Sequence, residues 1–534
     1  MLILVPVLFL LLPAIAILLL RWMRPDFHYA WLIAALASFF SWLSLCLLRF
    51  RLPTSYTLMT WHIGGLVDTS PGLLLDYSSW AYSLCISTLI LSVILTATAR
   101  AQYQQDAFSW AGSMAFGGLG MMSVLASNPI SLLLSWTSLD LINLGILLSS
   151  AGTSDKTNRS LIAFSAQAVG NLFVMGATLA NHAPGLPITF ETMSGPADLF
   201  LLMGIALRLG VFPLHLPFSM EPRLRRGVGS LLRLIPVAST LMLLGRLPEL
   251  TLPGSWRPIL QGLAALSALY CALMWINSQD EVEGRPYWII ASAALALACV
   301  LQGNPQSSLA WGIGALLSGG LMFLYSARSS RLWYLWAFGI WGLSGLPYSP
   351  AASGWDGLLG AGSSIGLGAV FLVSQVLLLL GYARHAIQIR DPLDGMEPWV
   401  KTIYPLGLAF IVITMGLVTF AGWHGSRSLG MAWPGLIGVT LVITGLVTRI
   451  LRPSLASAAG HAPIVEWANP QMLKIFQGIT AFLRLDWLYQ WLWQLYRLLN
   501  RFIAILSGIL EGDGGVLWAL LLLTLLITLI QGGM

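Results

Sequence analysis

Leu199-Phe-Leu-Leu-Met-Gly-Ile-Ala-Leu-Arg208-Leu-Gly-Val-Phe-Pro213-Leu-His215-Leu-Pro217, followed by Phe-Ser-Met-Glu221-Pro-Arg-Leu-Arg-Arg226 and a second apolar run to Arg246, decides the fold class. An apolar run carries an arginine, breaks at two prolines around a histidine and restarts after a basic turn. A charge at bilayer depth and a helix interrupted by proline are each costly in lipid. They persist where protein or water surrounds them, along a path for ions or substrates. The stretch therefore points to a polytopic membrane protein with a transport-type function.

The rest of the chain agrees. Its 534 residues are 57% hydrophobic and 9% charged, with a mean hydropathy of +0.80, far from a soluble domain. Runs long enough to span a bilayer, about 20 residues each, lie at 2–20, 29–49, 79–98, 107–126, 129–150, 158–181, 197–217, 227–245, 256–277, 286–302, 306–327, 332–346, 356–382, 403–422, 431–450 and 515–531. The first lacks a basic leader and is followed by Arg21 and Arg24, so it reads as an uncleaved span. An all-α polytopic membrane protein is expected, without a soluble domain.

Lysine and arginine are asymmetric about these sixteen runs. Fourteen lie after odd-numbered spans, among them Arg100, Lys156, Arg226, Arg285 and Arg384, against five after even-numbered ones: Arg49, Arg51, Arg246, Arg257 and Arg427. The positive-inside rule then makes the odd connections cytoplasmic and places both termini outside. The formal net charge of +6 follows from this bias. It is spread over short loops without a basic-aromatic patch, so no nucleic-acid partner is expected.

Cys46, Cys85, Cys271 and Cys299 lie singly in apolar runs, and the seven histidines are scattered without metal-ligand spacing. No phosphate-binding glycine loop occurs, and Gly362-Ser-Ser364-Ile-Gly366 sits in an apolar helical run rather than at a strand-to-helix turn. No metal, cofactor or catalytic centre is expected in this chain.

The seventh span breaks at Pro213 and Pro217, and the twelfth at Pro347-Tyr-Ser-Pro350, before Ser353-Gly-Trp-Asp356. Five spans separate them. Five is odd, so two successive five-helix units would lie in opposite orientations, and paired interrupted spans mark inverted-repeat transporters. This divides the chain into 1–105 (N-terminal helices), 106–250 (first unit), 251–385 (second unit) and 386–534 (C-terminal helices). Near the end, Asp486, Gln490, Gln494, Arg497 and Arg501 alternate at helical spacing with Trp487, Trp491, Leu495, Leu498 and Phe502. Such a segment, about 484–512, suits a helix lying at an interface, with a tilted span as the alternative.

The ionisable groups inside spans or at their breaks are Asp140, Arg208, Arg233 and Asp356, with His215 and Glu221 beside the seventh-span break. Each is an ion-path candidate by position. Asp140 and Arg208 fall in the same proposed unit, where a buried ion pair would join a carboxylate that can bind a proton to a guanidinium that stays charged. The three lysines, Lys156, Lys401 and Lys474, all lie outside the apolar runs.

At these residues the chain resembles the antiporter-like membrane subunits of respiratory complex I, of Mrp-type cation/proton antiporters and of membrane-bound hydrogenases. Arg208-Leu-Gly-Val-Phe-Pro-Leu-His-Leu-Pro217 resembles the family's Lys-x-x-x-x-Pro-x-His-x-Trp-Leu-Pro segment. Gly342-Leu-Ser-Gly-Leu-Pro347 through Ser353-Gly-Trp-Asp356 resembles its Gly-x-Pro-Pro-x-Ser-Gly-Phe-x-x-Lys-Asp segment. Leu132-Leu-Leu-Ser-Trp136-Thr137 is similar to the run that ends in Trp-Glu, and Leu510-Glu-Gly-Asp-Gly-Gly-Val-Leu-Trp518 to the family's close.

The resemblance implies about fourteen core helices with two inverted five-helix repeats and broken seventh and twelfth helices, here with two further helices and an amphipathic one. It also implies protons or Na+ moving along a buried axis of Glu, Lys and His, coupled to other membrane subunits. The departures fall on that axis. Thr137 stands at the glutamate position, Arg208 at the seventh-span lysine, Ser318 at the central lysine, Trp355 at the lysine before Asp356, and Leu232 or Arg233 at the eighth-span histidine. Asp140, about 4.5 Å along the helix from Thr137, would keep a carboxylate on nearly the same face.

The expected function is an antiporter-like integral subunit of a complex-I-like or Mrp-like assembly in a bacterial-type energy-transducing membrane, with a degenerate path. At most it is a membrane subunit of a redox-driven proton translocase. A stand-alone transporter or lipid-linked-saccharide flippase is the alternative.

Overall fold

The computed structural model describes residues 1–24, 27, 29–58, 69–100, 107–150, 154–182, 189–190, 195–212, 226–247, 250, 256–325, 332–360, 364–387, 396–422, 427, 431–451 and nine positions between 491 and 524. These form α1 (Val5–Met23), α2 (Ala30–Leu48), β1 (Thr54–Thr57), β2 (Gly72–Leu75), α3 (Tyr77–Thr96), α4 (Ala107–Leu125), α5 (Pro129–Ser150), α6 (Ser154–His182), α7 (Pro196–Leu209) and α8 (Arg226–Arg246). The chain continues as α9 (Trp256–Asn277), α10 (Glu281–Leu301), α11 (Pro305–Leu324), α12 (Trp333–Leu343), α13 (Gly354–Leu358), α14 (Ile365–Ile387), α15 (Pro398–Leu417) and α16 (Trp433–Leu451). Among the described residues, 12 helices are long and apolar enough to cross a membrane, and shorter apolar helices occur at Tyr334–Leu343 and Trp433–Val447.

The chain is thus an all-α polytopic membrane protein, and the first fifteen apolar runs each overlap a helix. The run at 515–531 and most of the amphipathic segment at 484–512 lie outside the described residues. Residues 468–534 form a compact unit of their own. The positions described there, including Trp491, Gln494, Arg497, Leu498 and Arg501, are helical and exposed.

Local chemistry sets the helix starts. Pro129, Pro196, Pro305 and Pro398 each occupy the first position of a helix, where a missing N–H costs nothing. Asp76 and Ser79 form a reciprocal capping box at the start of α3. One feature departs from the all-helical expectation: β1 and β2 pair antiparallel, Thr54 opposite Leu75 and Thr57 opposite Gly72.

α3 and α11 are buried along their whole apolar length, and α8 and α10 nearly so. These four pack together as the centre of the bundle. Around them, α4 to α8 and then α9 to α14 follow the same order: each long helix packs on the next, and the last returns to the first, α8 on α4 and α14 on α9. In the first stretch α7 ends at Gly210, with φ 75°. In the second, α12 ends beside Gly345, with φ 71°. Only glycine takes this left-handed conformation without penalty, and it stops a helix by turning its last carbonyls toward new donors.

Two boundaries differ from the sequence expectation. α10 begins at Glu281 rather than near 286, which places Glu281 and Arg285 inside a buried helix rather than in a loop. The thirteenth span does not begin at 356: Asp356 lies in the five-residue α13, and the long helix restarts at Ile365. Polar first turns lower mean hydropathy, so an apolar-run reading trims helices that continue past the hydrocarbon core.

Candidate functional site

On α5, Trp136, Asp140 and Asn143 recur at three- and four-residue spacing and are buried, which puts them on one face of the helix. On α6, Gln167 and Asn171 are similarly one turn apart. α7 brings Arg208 to them in its last turn, where a cation also meets the negative end of the helix dipole.

Arg208 grips Asp140 with both ends of its fork: Nη1 donates to Oδ2 at 2.7 Å and Nη2 to Oδ1 at 3.0 Å. Asn171 closes a ring. Its Oδ1 accepts from Arg208 Nη1 at 2.7 Å, and its Nδ2 donates to Asp140 Oδ2 at 3.0 Å. The Gln167 carbonyl takes a further Nη1 contact at 3.3 Å. The guanidinium carbon lies 4.1 Å from the centre of the Trp136 ring, a cation–π contact that is stronger away from water. The side chains of Arg208 and Asp140 are 1% and 2% exposed.

Two glycines make room for this arginine. A Cβ on Gly170 would stand 2.5 Å from Arg208 Cγ, and one on Gly204 would stand 2.9 Å from the Gly170 carbonyl oxygen. Small residues at both positions let α6 and α7 approach closely enough for the arginine stem to lie between them. On the far side, Trp136 Nε1 donates to Ser239 Oγ of α8 at 2.9 Å, and Ser239 donates to the Pro236 carbonyl at 2.8 Å.

No protein-family model matches the sequence, and no curated protein matches it by sequence. By structure, it is similar to a chain of the membrane-bound sulfane sulfur reductase, an archaeal respiratory membrane complex, at 15% identity and TM-score 0.63, over 98% of this chain and 99% of that one. A chain of the Mrp complex from Dietzia sp. matches at 15% identity and TM-score 0.66; the match spans 99% of this chain and 62% of that one. A chain of respiratory complex I from Thermus thermophilus matches at 18% identity and TM-score 0.59, over 78% of this chain and 100% of that one. The chain has the antiporter-like fold.

Within this antiporter-like fold the other sequence candidates fall at separate places. Thr137 is on the exposed face of α5, where its hydroxyl bonds back to the Leu133 carbonyl at 2.7 Å, so it does not face Arg208. Arg233 is buried on α8. Ser318 is fully buried where α11 meets α12; a Cβ on Gly342 would stand 2.6 Å from its hydroxyl. Asp356 is half-buried and accepts the backbone N–H of Met431 at 2.9 Å, which ties the second break to the start of α16. His215 and Glu221 lie outside the described residues.

The antiporter-like fold also contains buried polar groups absent from the sequence reading. Besides Asn171 and Gln167, Glu281 on α10 is fully buried and accepts from Arg226 Nη1 on α8, an ion pair between the two five-helix stretches. His385, near the end of α14, is fully buried, with Nε2 3.0 Å from the Trp275 carbonyl and 3.1 Å from Ser278 Oγ. Arg384 donates to the Ile276 and Ser278 carbonyls, so the last turn of α14 caps the end of α9. A neutral amide such as Asn171 carries no charge to mark it within an apolar run. Glu281 stands just before an apolar run, where a charge reads as part of a loop.

Proposed function

We propose that this chain is an integral subunit of a multi-subunit membrane assembly that moves protons or Na+ across an energy-transducing membrane of bacterial type, both termini outside. The observation that carries this reading is the buried Asp140–Arg208–Asn171 ring at the end of the broken α7. A membrane protein gains little stability from such a ring over apolar packing, and intramembrane charge recurs along ion paths. The likeness in fold to chains of respiratory and Mrp complexes supports the same reading.

In this reading α4–α8 and α9–α14 are inverted repeats, and Asp140 binds and releases the moving proton or cation while Arg208 stays charged. Protonation of Asp140 would remove the anionic partner of Arg208, which then relies on the Asn171 side chain, the Gln167 carbonyl and the Trp136 ring. The path is degenerate relative to a lysine relay, because an arginine cannot hand its proton on. Coupling to a redox or antiport partner occurs through neighbouring subunits, and the chemistry of electron transfer belongs to them.

The experiment is pH-gradient formation by the intact assembly in vesicles. Asp140→Asn keeps the size of the side chain and removes its charge; it is expected to abolish the contribution of this chain. An unchanged gradient with the assembly intact would overturn the reading and leave the chain a scaffold.

A further inference from the structure

The largest fully buried side chains of α9–α14 are seated in two tiers. In one, Trp275 of α9 lies 5.4 Å from Trp288 of α10, ring centre to ring centre, and Trp288 lies 5.6 Å from Tyr382 of α14. In the other, Trp311 of α11 stands edge-on to Trp355 of α13 at 5.6 Å. All five are at most 1% exposed. The indole nitrogens of Trp275 and Trp288 donate to the Leu378 and Ala315 carbonyls on neighbouring helices at 3.1 and 3.2 Å.

Each of these rings rests on a glycine. A Cβ on Gly381 would stand 2.5 Å from Trp275, on Gly319 2.6 Å from Trp288, on Gly339 1.8 Å from the Tyr382 hydroxyl, on Gly354 2.6 Å from Trp311, and on Gly345 2.6 Å from Trp355. Ring atoms set against bare backbone at these five points draw the helices together, and interiors packed in this way hold few voids larger than a water molecule.

Charge follows the same division. Among the described residues, the buried acidic, basic and histidine side chains of α9–α14 lie at helix ends: Glu281 and Arg285 open α10, and His385 is in the last turn of α14. Asp356 is in the second break. Ser318 lies at the level of the first tier, between Ala315, whose carbonyl accepts from Trp288, and Gly319. It is seven residues beyond Trp311, or about 10 Å along α11, and one residue before Gly319, the seat of Trp288. Its hydroxyl has no hydrogen-bond partner among the described residues, and neither has Trp355 Nε1, so water entering this half would be expected to reach Ser318.

We propose that the two aromatic tiers seal α9–α14 against water. On the function proposed above, ion movement through this chain is then confined to the α4–α8 half, so that one chain offers one site rather than two linked half-paths.

The test is thiol accessibility in the native assembly, read peptide by peptide with a small charged methanethiosulfonate. Cys271 and Cys299, both fully buried in this half, and a cysteine introduced by Ser318→Cys are expected to react at least about 100-fold more slowly than in the unfolded chain. Reaction of any of the three at the unfolded rate would overturn the seal. Trp288→Ala is expected to raise labelling at Ser318→Cys at least tenfold, while Trp288→Phe, which keeps a ring, leaves it protected. No rise with Trp288→Ala would overturn the role of the ring, and continued protection of Cys85 in α3 reports that the variant is folded. Labelling needs no ion movement, so failure of the seal and failure of the proposed function are read separately.

Discussion

Arg208 carries more than charge, because a planar guanidinium can chelate one carboxylate, bond an amide and stack on an indole at once. Removing it leaves Asp140 buried without its cation. Arg208→Ala is expected to lower stability by about 3–5 kcal/mol, measured as a fall in the thermal midpoint in detergent. The double variant Asp140→Leu/Arg208→Leu should recover most of that, because it leaves neither charge stranded. Gly170→Ala tests the seat of the arginine from the other side. Its new Cβ would fall 2.5 Å from Arg208 Cγ, and the shift this forces is expected to cost about 1–3 kcal/mol, with a matching loss of gradient formation. Asp140 and Arg208 were legible as partners because each is a charge in an apolar run. Asn171 and Trp136 were not, because a neutral amide or indole in a membrane helix announces no partner until the facing helix is known.

At the scale of the element, α7 and α12 stop in the same way. Gly210 and Gly345 hold φ of 75° and 71°, a conformation that costs other L-residues roughly 1–2 kcal/mol. Gly210→Ala should therefore lower the thermal midpoint, and Gly210→Asn should lower it less, since asparagine tolerates the left-handed region better. The prolines marked where these spans break, but the turn falls on the glycines upstream. A further element-scale prediction concerns Arg226 and Glu281, which join the start of α8 to that of α10. Glu281 is fully buried and Arg226 partly exposed, so Glu281→Ala leaves a cation that can reach water, whereas Arg226→Ala takes a cation away from a carboxylate that cannot. The second variant should be the less stable in a double-mutant cycle read by detergent unfolding. Apolar-run boundaries placed both residues in or beside loops, because polar helix turns lower the local hydropathy without ending the helix.

For the whole molecule, gentle detergent extraction should recover the chain with companion membrane subunits. A monodisperse free chain would favour the stand-alone transporter instead. Orientation is checked by labelling from either side of sealed vesicles: a cysteine placed at Met1 is expected to react from outside and one in the 388–395 connection from the cytoplasmic side. The fifteen helices overlapping apolar runs were readable because burying a polar backbone in hydrocarbon forces each long apolar run to close its own hydrogen bonds. Their packing was not, since apolar faces are alike in composition and differ only in the positions of small residues.

The sequence by itself determined that the chain spans a membrane many times and is broken near residues 213 and 347. It also showed that arginine, serine and tryptophan stand at positions where the resemblance implies lysines. These follow from one-dimensional facts: run length, proline and residue type. Only the tertiary structure decided that Arg208 holds both oxygens of Asp140, that Thr137 turns away from it, and that Asn171 closes the ring. It also decided that Asp356 accepts the backbone N–H of Met431, and that glycines seat the large buried rings of α9–α14. The physical reason is that helix rotation and glycine-guided approach set which side chains meet, and both are properties of helix pairs rather than of a single run.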